Sequence, residues 1–252
     1  MRSGTPPILS LKRTLTMLEA VIADGGRSSV SDIARLAGMP VATAHRQVLT
    51  LVEAGYLAPS GKGRHVAGSR LLGLAHRLDE KQVIVNIAAP LLHRLAVQVR
   101  CTVQLGTLEN DMVTYRLKTG RGASGLFTRV GMQLEAYCSG IGKVLLAHLG
   151  EEEREAYLAG GPFVALTERT ITDPALLREE LDRVRTRGYA LDDGEIAADL
   201  RCMAVPVRGR DASTPAAISV SQMMSARNRL PDETLLTLLL DTADRISQGA
   251  FG

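Results

Sequence analysis

Leu11, Leu15, Leu18 and Ile22 recur at i, i+4, i+7 and i+11, which places them on one face of a helix. Asp24-Gly25-Gly26 ends it. Ser29-Val30-Ser31-Asp32 follows, with Ser29 as an N-cap and Asp32 as the reciprocal acid of a capping box. Ile33, Leu36 and Ala37 give a short apolar stripe that Gly38 closes, and Pro40 suits the first position of a third helix. In that helix, residues 41–54, Ala44, Val48, Leu51 and Val52 form the buried stripe. Thr43, Arg46, Gln47 and Thr50 share the opposite face, and no acid lies on it before Glu53. Periodicity places His45 at the edge of the stripe, where it reads equally as a core-margin residue. Tyr56-Leu57-Ala58 and Arg64-His65-Val66 read as strands around the turn Ser60-Gly61-Lys62-Gly63. Helix, helix–turn–helix and basic-tipped hairpin in that order is the plan of a winged helix–turn–helix.

Arg70 to Leu78 is a helix with apolar residues on more than one side, so something must bury it, such as the same helix of a second subunit. Beyond about Gln82, helices and strands alternate. Ile87 to Val99 reads as a helix with Pro90 near its start. Residues 102–105 and 112–117 form a hairpin around Glu109-Asn110-Asp111. Gly142 to His148 and Glu151 to Ala159 are short helices, and a helix opened by Thr172-Asp173-Pro174 runs to Arg187 and closes at Gly188. Tyr189 to Leu191, Met203 to Val207 and Ala216 to Ser221 are strands, and Asp232 to Gln248 is the last helix. Hairpins with flanking helices predict an α+β antiparallel sheet.

Composition sharpens this picture. Of 252 residues, 45% are hydrophobic, which is enough to build cores and excludes a disordered chain. Apolar runs are interrupted, so neither a transmembrane span nor a signal peptide is expected, and the chain reads as soluble and cytoplasmic. Three cysteines, Cys101, Cys138 and Cys202, match neither a disulfide framework nor a metal-ligand spacing, and no cofactor is indicated. Through Arg77 there are 10 basic and 4 acidic residues, +6, whereas the remainder is −3. A basic N-terminal module on a mildly acidic body suits a polyanion partner, and the polar types on the third helix can reach base edges and phosphates.

The run SVSDIARLAGMPVATAHRQVLTLVEAGYLAPSGKGRHVAGSRLLGLA resembles the DNA-binding domain of the isocitrate-lyase-regulator (IclR) family of bacterial transcription factors. TAHR followed by LVEAGYL is its most specific part. The resemblance continues through AYCSGIGKVLLAHL, TERTITDPALLREELDRVRTRGYALDDGE and RCMAVPV to near the C-terminus. It implies a winged helix–turn–helix at residues 9–67, a linker helix at 68–81 and a GAF-like effector-binding domain at 82–250. It also implies that Val41, Thr43, His45 and Arg46 face a double-stranded operator. Gln47 and Thr50 from the helix face, and Lys62 and Arg64 from the hairpin, complete the candidate set. A two-fold homodimer, or a dimer of dimers, presents paired recognition helices to a palindromic site.

Enzyme signals fail on inspection. Ser139-Gly140-Ile141-Gly142-Lys143 lacks both the earlier glycine and the following hydroxyl residue of a phosphate loop, and Tyr137 spoils a nucleophile elbow. No histidine pairs with a nucleophile at telling spacing, so no catalytic residue is assigned. Binding is better supported. The N–H groups of the Ser139–Gly142 loop open onto a helix and can hold a carboxylate, while Ser219 and Ser221 point to one side of a strand. By the resemblance, Gly140, Ile141, Asp192, Cys202, Ser219 and Ser221 hold a small organic acid effector. Gly194 and Asp199 depart from the family pattern, an acid and a glycine respectively being usual there. The alternative is a ligand-free repressor whose second domain serves only oligomerisation.

Overall fold

Gly25 adopts a left-handed backbone, φ 64°, and stops the first helix, α1 (Leu9–Asp24), where the Asp-Gly-Gly run predicts. The structure is a computed structural model that describes residues 6–120, 126–226 and 230–252. It divides into two compact units, Met1–Asp79 and Glu80–Gly252.

In the first unit, α2 (Val30–Leu36) is capped by Ser29, whose Oγ accepts the Asp32 N–H at 3.3 Å. The capping box is altered: the Asp32 carboxylate takes the Ser29 hydroxyl proton at 2.6 Å. Pro40 is the N-cap of α3 (Val41–Glu53), one position outside the helix it was expected to open. The wing pairs β1 (Leu57–Pro59) with β2 (His65–Ala67), each one residue further along than the pattern indicates. α4 (Ser69–Ala75) follows. Met17, Leu18, Val21, Val30, Ile33, Ala34, Ala44, Val48, Leu51 and Leu57 make the core.

The α1 stripe requires correction. Only Leu18 of the four is buried; Leu11, Leu15 and Ile22 are exposed, because the helix turns Met17 and Val21 toward the core instead. The helix is thus apolar on two sides, and one remains uncovered. None of α4 is buried, and Leu72, Leu74 and Leu78 are exposed.

The second unit is built on a six-stranded antiparallel sheet of order β5-β4-β3-β8-β7-β6. Its elements are α5 (Glu80–Val99), β3 (Thr102–Glu109), β4 (Met112–Gly120), β5 (Gln133–Glu135), α6 (Gly140–Ala147), α7 (Glu151–Leu158), α8 (Pro174–Arg187), β6 (Ala190–Asp193), β7 (Leu200–Val207), β8 (Ala216–Met223) and α9 (Asp232–Phe251). Asn110 and Asp111 both take positive φ, giving the β3–β4 hairpin the two-residue turn that matches strand twist. The strand β5, three residues long, carries no periodic signal in the sequence.

α5 begins seven residues before the expected Ile87, so Pro90 is interior and the 81/82 boundary falls inside the first turn. By length and composition α5 is apolar enough to cross a membrane. Here Ile84, Ala88, Leu92, Leu95, Ala96 and Val99 pack on the sheet, which makes it a core helix.

Strand alternation separates two layers. Val103, Leu105, Met203, Val205, Ile218 and Val220 face α5 and α9. The opposite face packs α6 and α8 through Ile141, Val144, Leu145, Leu177, Leu181 and Val184, with Ala204 and Ala217 beneath. α6 lies very close to its surroundings: a Cβ on Gly142 would stand 2.1 Å from the Ala136 carbonyl oxygen, and one on Gly106 3.0 Å from Ile141. Both glycines are therefore packing requirements.

Candidate DNA interface and effector cavity

α3 presents Ala42, His45, Arg46, Leu49 and Thr50 to solvent, whereas Val41, Thr43 and Gln47 are half-buried. The outward face is therefore rotated from the one drawn by periodicity. The Gln47 Oε1 is buried without a partner among the described residues, so Gln47 sits on the flank. The helix packs through Ala44, Val48 and Leu51, and this selects the face. His45 is exposed, and its ring Nε2 lies 3.2 Å from Ser31 Oγ of α2. Thr50 donates its hydroxyl proton to the Arg46 carbonyl at 3.0 Å, which leaves the oxygen free to accept. At the wing tip Lys62 is exposed with φ 52°, and Arg64 is half-buried. The Val30 N–H donates to the Gly63 carbonyl at 3.2 Å, tying that tip to the start of α2. His65 of β2 is held below the ordinary imidazole value by burial and then by the neighbouring His45.

In the second unit, α6 starts at Gly140, not Gly142, because Ser139 caps it and accepts the Gly142 N–H at 3.1 Å. Gly140 and Ile141 thus form its first turn. Their N–H groups have no acceptor among the described residues and carry the positive end of the helix dipole. Beneath them the register sets Asp192 beside Cys202, Cys202 beside Ser221, and Ser219 between Ala204 and Gln104. Gly140, Ile141, Asp192, Cys202 and Ser219 line one cavity, together with Gln104, Tyr115 and Thr128. Ser221 stands behind that lining, its Oγ 3.2 Å from Cys202 Sγ and donating to Gln104 Oε1 at 3.3 Å. Gln104 in turn donates to Thr128 Oγ1 at 2.8 Å. Cys202 is the third residue of β7, which begins before the expected Met203, since pairing with β8 starts at Leu200 and pairing with β6 at Arg201.

Asp192 is wholly buried. Its Oδ1 accepts the Glu195 and Ile196 N–H groups at 2.8 and 3.3 Å, while Oδ2 is buried without a partner among the described residues. Burial pushes its carboxyl up to about 6, opposed by the Glu195 N–H and the Lys143 charge. Gly194, at φ 82°, makes the tight turn here, which a side chain would strain.

Sequence reasoning missed the ion pair next to this site. Lys143, 1% exposed, bonds Glu195 Oε1 and lies 4.0 Å from Glu180 Oε1. Glu195 rises to about 7 because desolvation outweighs the ammonium, with Asp192 and Glu180 adding to the rise. Glu180 is held by Arg183 and Arg187 as well. A lysine amid Val144, Leu145 and Leu146 was the available signal, but its partner is 52 residues away. Gln104, between Val103 and Leu105, was similarly legible only as a polar residue in an apolar strand.

Comparison with known proteins gives this geometry its context. The C-terminal domain model of bacterial IclR transcriptional regulators matches residues 76–248, and the IclR helix–turn–helix model matches 10–61. The chain is 32% identical over 222 residues to the transcriptional regulator XynR of Escherichia coli, covering 87% of this chain and 88% of that one. It is 29% identical over 226 residues to the repressor IclR of the same organism, covering 88% and 82%. The crystal structure of the Agrobacterium tumefaciens repressor BlcR superposes with a TM-score of 0.73 at 27% identity, covering 96% and 97%. An IclR homolog of Microbacterium hydrocarbonoxydans complexed with 4-hydroxybenzoate gives 0.63 at 32%, covering 96% and 98%. With both units matched, the winged helix–turn–helix and the α+β effector-binding domain identify the chain as a member of the IclR family, a DNA-binding transcriptional regulator and not an enzyme.

Proposed function

We propose that this regulator is a cytoplasmic homodimer, or a dimer of dimers, that binds a palindromic operator and responds to a small carboxylate. Residues 9–67 supply DNA contact, 68–81 the linker and 82–250 effector binding. Val41, Thr43, His45, Arg46, Gln47 and Thr50 of α3 serve the major groove, His45, Arg46 and Thr50 being the exposed ones, while Lys62 and Arg64 of the wing serve the backbone. The uncovered Leu11, Leu15 and Ile22 of α1, and Leu72, Leu74 and Leu78 at and beyond α4, supply apolar surface for dimerisation.

The observation that carries the effector reading is the cavity itself. Gly140 and Ile141, at the open N-terminus of α6, line one cavity with Ser219 and Thr128, and the Microbacterium relative is complexed with 4-hydroxybenzoate. Its volume is about 10 Å³, roughly the room one water needs. An acid therefore enters by displacing side chains, and Phe127, which lines the cavity and is 46% exposed, is a candidate to move aside.

The test is a thermal-melt panel of the full-length protein against 4-hydroxybenzoate, benzoate and short aliphatic acids. A ligand at 100 times its Kd adds about 2.7 kcal/mol, which for a unit of this size is a shift of roughly 5–10 °C. A flat panel with operator binding intact would favour the ligand-free repressor or an effector outside these acids.

A further inference from the structure

We infer that the cavity takes an effector carboxylate together with one proton, which Asp192 holds in the complex. The site is thereby selective for monocarboxylates. The inference rests on the carboxylate reading given above, and the charges around Asp192 lead to it.

No lysine, arginine or histidine lines the cavity among the described residues. The nearby ammonium, Lys143 of α6, is bonded to Glu195 in the turn after β6. Glu180 of α8 is matched by Arg183 and Arg187. The other titratable groups facing Asp192 are Tyr115 of β4, Cys138 before α6 and Cys202 of β7. Burial pushes all three up, Cys138 to about 12, so none of them supplies or removes charge near neutrality. An ionised Asp192 therefore has two backbone N–H groups on Oδ1, the Cys202 thiol as a weak side-chain donor, and no hydrogen-bond partner on Oδ2 among the described residues.

A second anion entering this space faces that carboxylate without a cation between them. Two carboxylates in one buried site do not both stay ionised; one takes a proton and donates it to the other. The α6 N-terminus, with the free Gly140 and Ile141 N–H groups, favours the entering carboxylate as the ionised partner. The proton then sits on Asp192 Oδ2, the oxygen without a partner among the described residues. A value near 6 before binding means that the proton is already within reach at neutral pH. A dicarboxylate brings a second charge that no lysine, arginine or histidine among the described lining residues meets.

The experiment is titration calorimetry of the whole chain with 4-hydroxybenzoate between pH 6.5 and 8, in phosphate and in Tris. The difference in apparent enthalpy between buffers counts the protons exchanged. Uptake of close to one proton is expected at pH 8, with affinity falling about tenfold per unit above pH 7. In Asp192→Asn, which keeps the Oδ1 acceptor and resembles the protonated acid, uptake should vanish and affinity should no longer change with pH. Binding without uptake in the parent protein, or uptake that persists in Asp192→Asn, overturns the inference while leaving the carboxylate site standing. If neither protein binds 4-hydroxybenzoate at any pH, the effector reading fails for this acid and the inference fails with it.

Discussion

Lys143→Met leaves Glu195 buried beside Asp192 without its cation, and the cost of that loss can be worked from the structure. Lys143 is 1% exposed, and Glu195 Oε2 already lacks a partner among the described residues. Removing one member of a buried pair costs about 3–5 kcal/mol, because the survivor must stay charged in a poor solvent or take up a proton. For a unit of this size that is a melting-temperature loss of roughly 6–20 °C. Replacing both partners, Lys143→Met with Glu195→Leu, removes the stranded charge and should recover most of the loss. The chain has no tryptophan, so unfolding is best followed by far-ultraviolet circular dichroism in urea and on heating. A single variant within about 1 kcal/mol of the parent, or a double variant no better than the single, would refute the argument that the pair is buried and mutually dependent.

Three further outcomes are expected. Arg46→Ala should weaken specific operator binding by at least about 1 kcal/mol with the fold intact, measured by fluorescence anisotropy; unchanged binding would remove Arg46 from the interface. Ser219→Ala combined with Ser221→Ala should abolish the carboxylate response in the melt panel and spare DNA binding, since one hydroxyl lines the cavity and the other holds Gln104 in place. A full response would move the site elsewhere. The third concerns pH. Asp192 and Glu195 have folded values raised to about 6 and about 7, so the native state binds their protons more tightly than the unfolded chain does. Their contribution is greatest below pH 4 and is lost as pH rises through 6 to 7. Melting temperature should therefore fall between pH 5 and 7.5, and less steeply in the Lys143→Met, Glu195→Leu double variant; equal slopes would show that Glu195 is not the group responsible.

Local rules made much of the chain legible. Helix stops at Gly25, Gly38 and Gly188, caps at Ser29 and Asp173, and the two-residue turn at Asn110-Asp111 all follow from short-range backbone chemistry. The alternation of Ser219 and Ser221 against Ile218 and Val220 correctly separated the two faces of β8, because side-chain direction in a strand has a period of two. Only the tertiary structure decided which apolar stripe is buried. α1 carries two, and packing against α2 and α3 selected Met17 and Val21 over Leu11 and Leu15. The same packing rotated the outward face of α3 toward His45. The cavity also depends on register across strands distant in sequence, which brings Asp192, Cys202, Ser221 and Gln104 together. The pairing of Lys143 with Glu195 is of the same kind. A buried charge is intelligible only with its partner, and no local pattern in the sequence points from one to the other.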